Sequence, residues 1–181
     1  MKTDLSKFNN SWYKPGAGKI KQTLWYYCNS WFLNSYFLPL SRLKCSLLRL
    51  FGAKVGAGVN IKPKVNIKYP WNLTIGNNAW IGEEVWIDNL DKVSIGDNCC
   101  ISQGAFLLCG NHNYKIETFD LITKPILLEE GVWIGAKCVV CPGVTSKSHS
   151  VLSVGSVATS DMEPYGIYQG NPAAFKKKRI Q

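Results

Sequence analysis

The sequence predicts an all-β fold, a parallel β-helix of hexapeptide repeats with an N-terminal helical segment and one excursion loop. Three observations predict it. Aliphatic residues recur every six positions through most of residues 51–165, a smaller apolar residue follows nine of them four positions later, and the register breaks once, between Leu108 and Pro125. Neither a helix, with its period of 3.6, nor an alternating strand, with its period of 2, produces that pair of inward positions. The chain divides accordingly into an N-terminal arm and helical cap (1–50), the β-helix (51–165) with its excursion at 108–125, and a C-terminal basic tail (166–181). At 181 residues, 46% apolar and 18% charged, it has the composition of one globular domain and no tract biased towards disorder.

Residues 1–18 are polar and lack an apolar stretch ahead of a small-residue cleavage site, so they do not read as a secretory signal. The longest apolar run, Leu24 to Leu33, is interrupted by Asn29 and Ser30 and is about half the length that spans a bilayer. A cytoplasmic protein without a transmembrane helix is expected. Trp25, Cys28 and Trp31 mark a first helix; Leu40, Leu43, Leu47 and Leu50 recur at helical spacing behind Pro39, with Arg42, Lys44 and Arg49 elsewhere on the wheel. Two roles are open for this pair. They cap the end of the β-helix, whose strand edges would otherwise be exposed, or they dock peripherally on the inner face of a membrane that carries a lipid-linked substrate.

The coils begin at Val55. Val55, Ile61, Ile67 and Leu73 form the first block; after a two-residue shift come Ile75, Ile81 and Ile87; after a second, Ile95, Ile101 and Leu107; and Leu128, Ile134 and Val140 resume the period. The second inward set is Val59, Val65, Ala79, Val85, Cys99, Ala105, Val132, Cys138 and Val144. Each unit reads as a short strand and a turn, with Gly, Asn and Asp supplying the turn conformations. No unit buries its apolar face alone, so the coils must stack. The shifts at Tyr69-Pro70 and Leu90-Asp91 read as bulges at corners.

The seven cysteines are odd in number and lack CxxC spacing, which argues against a disulfide framework and a zinc cluster. Cys99 and Cys138 occupy core positions. The net charge of +9 calls for acidic partners such as phosphorylated cofactors, anionic lipid or nucleic acid, and does not choose among them. No aromatic and basic recognition module supports nucleic acid.

The break at 108–125 is too long for a corner and carries His112, one of two histidines in the chain. A loop on a rigid solenoid is where functional groups collect. The stretches GNHNY, FDLITKPI, GVWIGAKCVVCPGVT and VGSVATSDMEPYGIYQGNPA, with KYPWNLTIG and VWIDNL before them, resemble the hexapeptide-repeat acyltransferases, and the colanic-acid-type exopolysaccharide O-acetyltransferases above all. The resemblance covers roughly residues 50–179. It implies a left-handed β-helix, a homotrimer, and acetyl-CoA held in a groove between subunits. It implies no metal, and makes His112 the general base for direct transfer to a hydroxyl, as an alcohol needs its proton removed while it attacks a thioester. By the same resemblance a backbone N–H near Trp133 to Ala136 holds the oxyanion, pantetheine lies along Ala136, Val154 and Thr159, and Lys176, Lys177 and Lys178 meet the cofactor phosphates after the GNPA motif. Asp88 and Asn89, about one coil before the loop, and Asn113 are candidate acceptor contacts. Asn113 stands where many relatives have Asp, and Ser160 where they have Lys. Asp97 reads as a turn residue and His149 as structural.

A non-catalytic trimeric scaffold or glycan-binding protein, and an acetyltransferase for a small non-polysaccharide acceptor, are the competing readings. A three-histidine zinc enzyme on the same solenoid is disfavoured by the histidine count.

Overall fold

In the computed structural model, which describes residues 2–179, five full coils and part of a sixth stack into a parallel solenoid. The first coil is β1 (Lys54–Val55), β2 (Asn60–Ile61) and β3 (Asn66–Ile67); the second is β4 (Leu73–Ile75), β5 (Trp80–Ile81) and β6 (Trp86–Asp88). The third is β7 (Val93–Ile95), β8 (Cys100–Ile101) and β9 (Phe106–Leu108). A hairpin of β10 (Gly110–His112) and β11 (Leu121–Thr123) then leaves the solenoid. The fourth coil is β12 (Ile126–Leu128), β13 (Trp133–Ile134) and β14 (Val139–Val140), and the fifth is β15 (Thr145–Ser146), β16 (Val151–Leu152) and β17 (Val157–Ala158). Strand β18 (Gly166–Gly170) starts the sixth coil and turns back antiparallel into β19 (Ala173–Lys178).

Three sheets result: β1-β4-β7-β12-β15, β2-β5-β8-β13-β16-β18 with β19 beyond it, and β3-β6-β9-β14-β17. Equivalent residues stack directly, as in the column Ile61, Ile81, Ile101, Ile134, Leu152 and Tyr168. From the first coil to the third the partners are twenty residues apart, as Ile61 and Ile81 are, whereas from the fourth to the fifth they are eighteen apart, as Ile134 and Leu152 are. Every residue of the second inward set is buried, Cys99 and Cys138 included. Burial pushes the Cys99 thiol up to about 11 and that of Cys109 to about 12, so both remain neutral core side chains.

The glycines that follow the aliphatic positions have a different purpose from the one expected. Asn78 and Asn98 take the left-handed turn conformation, at φ 56° each, but Gly76, Gly82, Gly96 and Gly135 do not. A Cβ on Gly82 would lie 2.8 Å from the Gln103 nitrogen of the next coil, and one on Gly135 2.7 Å from the Leu152 oxygen. Close approach of stacked backbones, not turn geometry, excludes a side chain there.

The helical segment is α1 (Lys19–Cys28), continued by a π-helical turn at Asn29–Leu33, and α2 (Ser41–Leu50). It lies on the first coil, and its polar side chains satisfy backbone groups that have no coil beneath them. Trp25 Nε1 donates to the Ile67 carbonyl at 2.8 Å, and Asn29 Oδ1 accepts from the Ile67 amide. Ser41 Oγ accepts from the Ile61 amide at 3.0 Å, Lys44 Nζ donates to the Lys62 carbonyl at 2.8 Å, and the Arg49 guanidinium donates to Val55 and Gly56.

The expected apolar face of α2 is not the packed one. Leu40, Leu43 and Leu50 are exposed and Leu47 is partly so, while Lys44, Cys45 and Leu48 are buried. Lys44 lies inside because its alkyl stem fills apolar space and its ammonium finds carbonyls. That burial pulls its amine below the usual lysine range.

The expected basic tail is, through Lys178, an ordered strand of a hairpin. Its last residues, Ile180 and Gln181, lie outside the described residues.

Candidate active site

The break in the repeat forms a two-stranded ribbon because Gly110, Asn111 and His112 pair with Thr123, Ile122 and Leu121. His112 ends the outgoing strand. Its Nδ1 lies 2.9 Å from the Phe119 carbonyl, which can only accept, so Nδ1 carries the proton of the neutral ring and Nε2 keeps the lone pair. The Phe119 ring stacks on the imidazole at 4.5 Å and 6°, and the Phe8 ring flanks it at 5.7 Å. Phe119 has φ 52°, a left-handed backbone that is costly for an aromatic residue. That conformation accompanies both contacts.

His112 lines a cavity of about 710 Å³ with Phe8, Tyr13, Lys68, Asp88 and Leu90. Asp88 ends β6, one coil below the hairpin, and is 7% exposed. Lys68 Nζ lies 3.0 Å from Asp88 Oδ1, which makes no hydrogen bond among the described residues. The Asp88 carboxylate thus lines the cavity with its Oδ1 shut off from solvent beside the Lys68 ammonium. The N-terminal arm forms the opposite wall. The arm is held by the Asp4 amide on the Glu117 carbonyl, by Lys7 on Glu117 at 2.7 Å, and by the Tyr13 hydroxyl, which donates to the Leu90 carbonyl at 2.7 Å. Burial pushes the Tyr13 hydroxyl up, which keeps it a donor.

The other expected site residues are dispersed. Asn89 is fully buried and bonded through its amide to both backbone groups of Tyr69, so it fastens a corner and offers nothing to a ligand. Asn113 closes the hairpin turn, accepting from the Lys115 amide, and lies outside the cavity lining. Asp97 accepts from the Asn77 amide at 2.6 Å, a turn role. His149 stacks on Tyr165 in a corner.

Ala136 and Val154 sit one above the other, where the Gly155 amide donates to the Ala136 carbonyl at 2.9 Å. Trp133 is half exposed on β13 and donates to Ser102 Oγ. Thr159 is exposed just past β17, and Lys176, Lys177 and Lys178 are exposed on β19, the last bonded to the Pro164 carbonyl. The His112 cavity opens at the corner that follows β3, β6 and β9, whereas Ala136 and Val154 occupy the corner that precedes β14 and β17. One sheet face separates the two within a single chain.

Sequence reasoning missed Phe8, Tyr13, Lys68 and Phe119. The two-residue shift at Tyr69-Pro70 is the signal that points to Lys68. Aromatic residues in an otherwise polar arm point to Phe8 and Tyr13.

The solenoid of six-residue units, interrupted by one excursion hairpin, is the architecture that the resemblance to the hexapeptide-repeat acyltransferases implies. No family model matches the chain. It is 34% identical over 178 residues, 98% of both chains, to "Putative colanic acid biosynthesis acetyltransferase WcaF" of Escherichia coli K12. Among solved structures, a galactoside acetyltransferase in complex with coenzyme A superposes with a TM-score of 0.78 at 27% identity, covering 89% of this chain and 82% of that one. A hexapeptide-repeat-containing acetyltransferase of Vibrio cholerae complexed with acetyl coenzyme A shares the fold, with a TM-score of 0.82 at 21% identity over 93% of each chain. The chain belongs to the WcaF-like branch of the hexapeptide-repeat acetyltransferases.

Proposed function

We propose that this protein transfers an acetyl group from acetyl-CoA to a hydroxyl of a sugar in exopolysaccharide or surface-glycan biosynthesis, with His112 as general base. The observation that carries the reading is the fixed tautomer of His112 beside a cavity lined by Asp88 and Lys68. Nε2 takes the acceptor proton while the oxygen attacks the thioester carbon, giving a tetrahedral oxyanion; its collapse expels the coenzyme A thiolate, which takes the proton back from the imidazolium. Nδ1 stays bonded to Phe119 throughout, so the ring that gains charge is already oriented.

Of the backbone N–H groups near Trp133 to Ala136, those of Trp133 and Gly135 are committed to the Ser150 and Leu152 carbonyls, and the Ala136 N–H is the one that stabilises the oxyanion. Asp88 accepts from an acceptor hydroxyl, and Lys68 steadies that carboxylate. Pantetheine runs past Ala136, Val154 and Thr159, and Lys176, Lys177 and Lys178 meet the phosphates, the first two with their ammonium groups uncommitted among the described residues. The separation of the His112 corner from the Ala136 and Val154 corner supports a homotrimer, in which one copy supplies the base and its neighbour the pantetheine groove.

The test is release of free thiol from acetyl-CoA across a panel of sugars and nucleotide sugars, with wild type beside His112→Ala. A loss of roughly a thousandfold in kcat, with acetyl-CoA binding retained, is expected. Equal turnover by the two proteins removes His112 from the chemistry.

A further inference from the structure

The positive charge is segregated. Residues 1–82 contain 12 Lys and Arg and one acidic residue, Asp4, whereas residues 83–181 contain 9 Lys and Arg against 11 Asp and Glu. The whole net charge of the chain therefore belongs to the arm, the helical cap and the lowest coils.

Each cap helix carries two apolar stripes. The inward one of α1 and its continuation is Trp25, Cys28 and Leu33, and that of α2 is Cys45 and Leu48. The outward stripe of α1 is Ile20, Leu24, Tyr27 and Trp31, at 79, 56, 59 and 66% exposure, spaced i, i+4, i+7, i+11. Leu40, Leu43, Leu47 and Leu50 form the corresponding stripe of α2. Tyr26, Tyr36 and Phe37 add exposed aromatic surface. The helix wheel places Lys19 and Lys21 on either side of the first stripe and Arg42 beside the second. Among the described residues none of these three cations, nor Lys14 or Lys54, has a carboxylate within ion-pair distance.

We infer that the outward face of the helical cap is a docking surface for an anionic lipid bilayer. Leucine and isoleucine with tyrosine and tryptophan, flanked by unpaired cations, match the apolar and headgroup layers of a membrane surface. Contact between the caps of two copies would set like charges against each other, as this region holds no carboxylate beyond Asp4. The contact is peripheral: no helix among the described residues is long and apolar enough to cross a membrane. The inference is independent of the acceptor and of His112.

Flotation of the full-length protein with vesicles of phosphatidylcholine alone, or of equal parts phosphatidylcholine and phosphatidylglycerol, tests it. Wild type should partition onto the anionic vesicles about tenfold or more in excess of the neutral ones. Leu24→Ser/Trp31→Ser/Leu43→Ser should lose about tenfold of that binding, and Lys19→Gln/Arg42→Gln much of its preference for anionic lipid. Because all five side chains are exposed, the unfolding temperature and the oligomeric state by light scattering should match wild type. Failure of wild type to float, or undiminished binding by the stripe variant, overturns the proposal. So does a change of oligomeric state in the stripe variant without lipid, which would assign the stripe to a subunit contact.

Discussion

The two ends of the solenoid solve the same problem by different means. At the lower end the first coil has no strand beneath it, and its backbone groups are met by the side chains of Trp25, Asn29, Ser41, Lys44 and Arg49. At the upper end β18 stacks on β16 and then folds back on itself, so that β19 pairs backbone to backbone. Side-chain capping depends on residue identity at isolated positions. Hairpin capping depends on the chain reversing, and most of its bonds survive a change of side chain. The lower end should therefore be sensitive to single substitutions and the upper end tolerant of them.

Three substitutions measured by denaturant unfolding sharpen or break that contrast. Trp25→Ala removes a side chain at 2% exposure together with the bond to Ile67, and should lower stability by about 3–5 kcal/mol. Lys44→Ala leaves the Lys62 carbonyl without its buried donor and opens space under the first coil, for a loss of about 2 kcal/mol. Tyr168→Phe, at the top of the core column, deletes only the acceptor of the Glu163 amide and should cost about 1 kcal/mol. A loss at Tyr168 equal to that at Lys44 would dissolve the distinction between the two ends.

The coils were legible because both inward positions repeat at six, and no other common fold keeps that register. The cap was legible as helix but not as to which side packs. A helix with two apolar stripes shows its leucines whichever way it faces, and the buried Lys44 looks like a surface residue until the carbonyls it meets are in place. His112 stood out through the interruption of the repeat. Phe119 did not, because it acts through a backbone carbonyl and a left-handed φ, neither of which leaves a signature in residue type. Asn89 misled for the opposite reason: a polar residue near the expected cavity is just as suited to tying down a corner.

The two-residue difference in coil length bears on which part of such a protein is free to change. Eighteen residues suffice to close a turn, as between Ile134 and Leu152, whereas the lower turns take twenty, as between Ile61 and Ile81. The extra pairs fall at the corner that supplies Lys68, Tyr69, Asp88 and Leu90 to the His112 cavity. There the chain is released from the stacking constraint for two positions at a time, and loops of that size can be lengthened, shortened or exchanged while the inward columns stay in step. The core and the cavity wall are in this sense separable units of inheritance: one is held to a fixed count, and the other is free to vary within it.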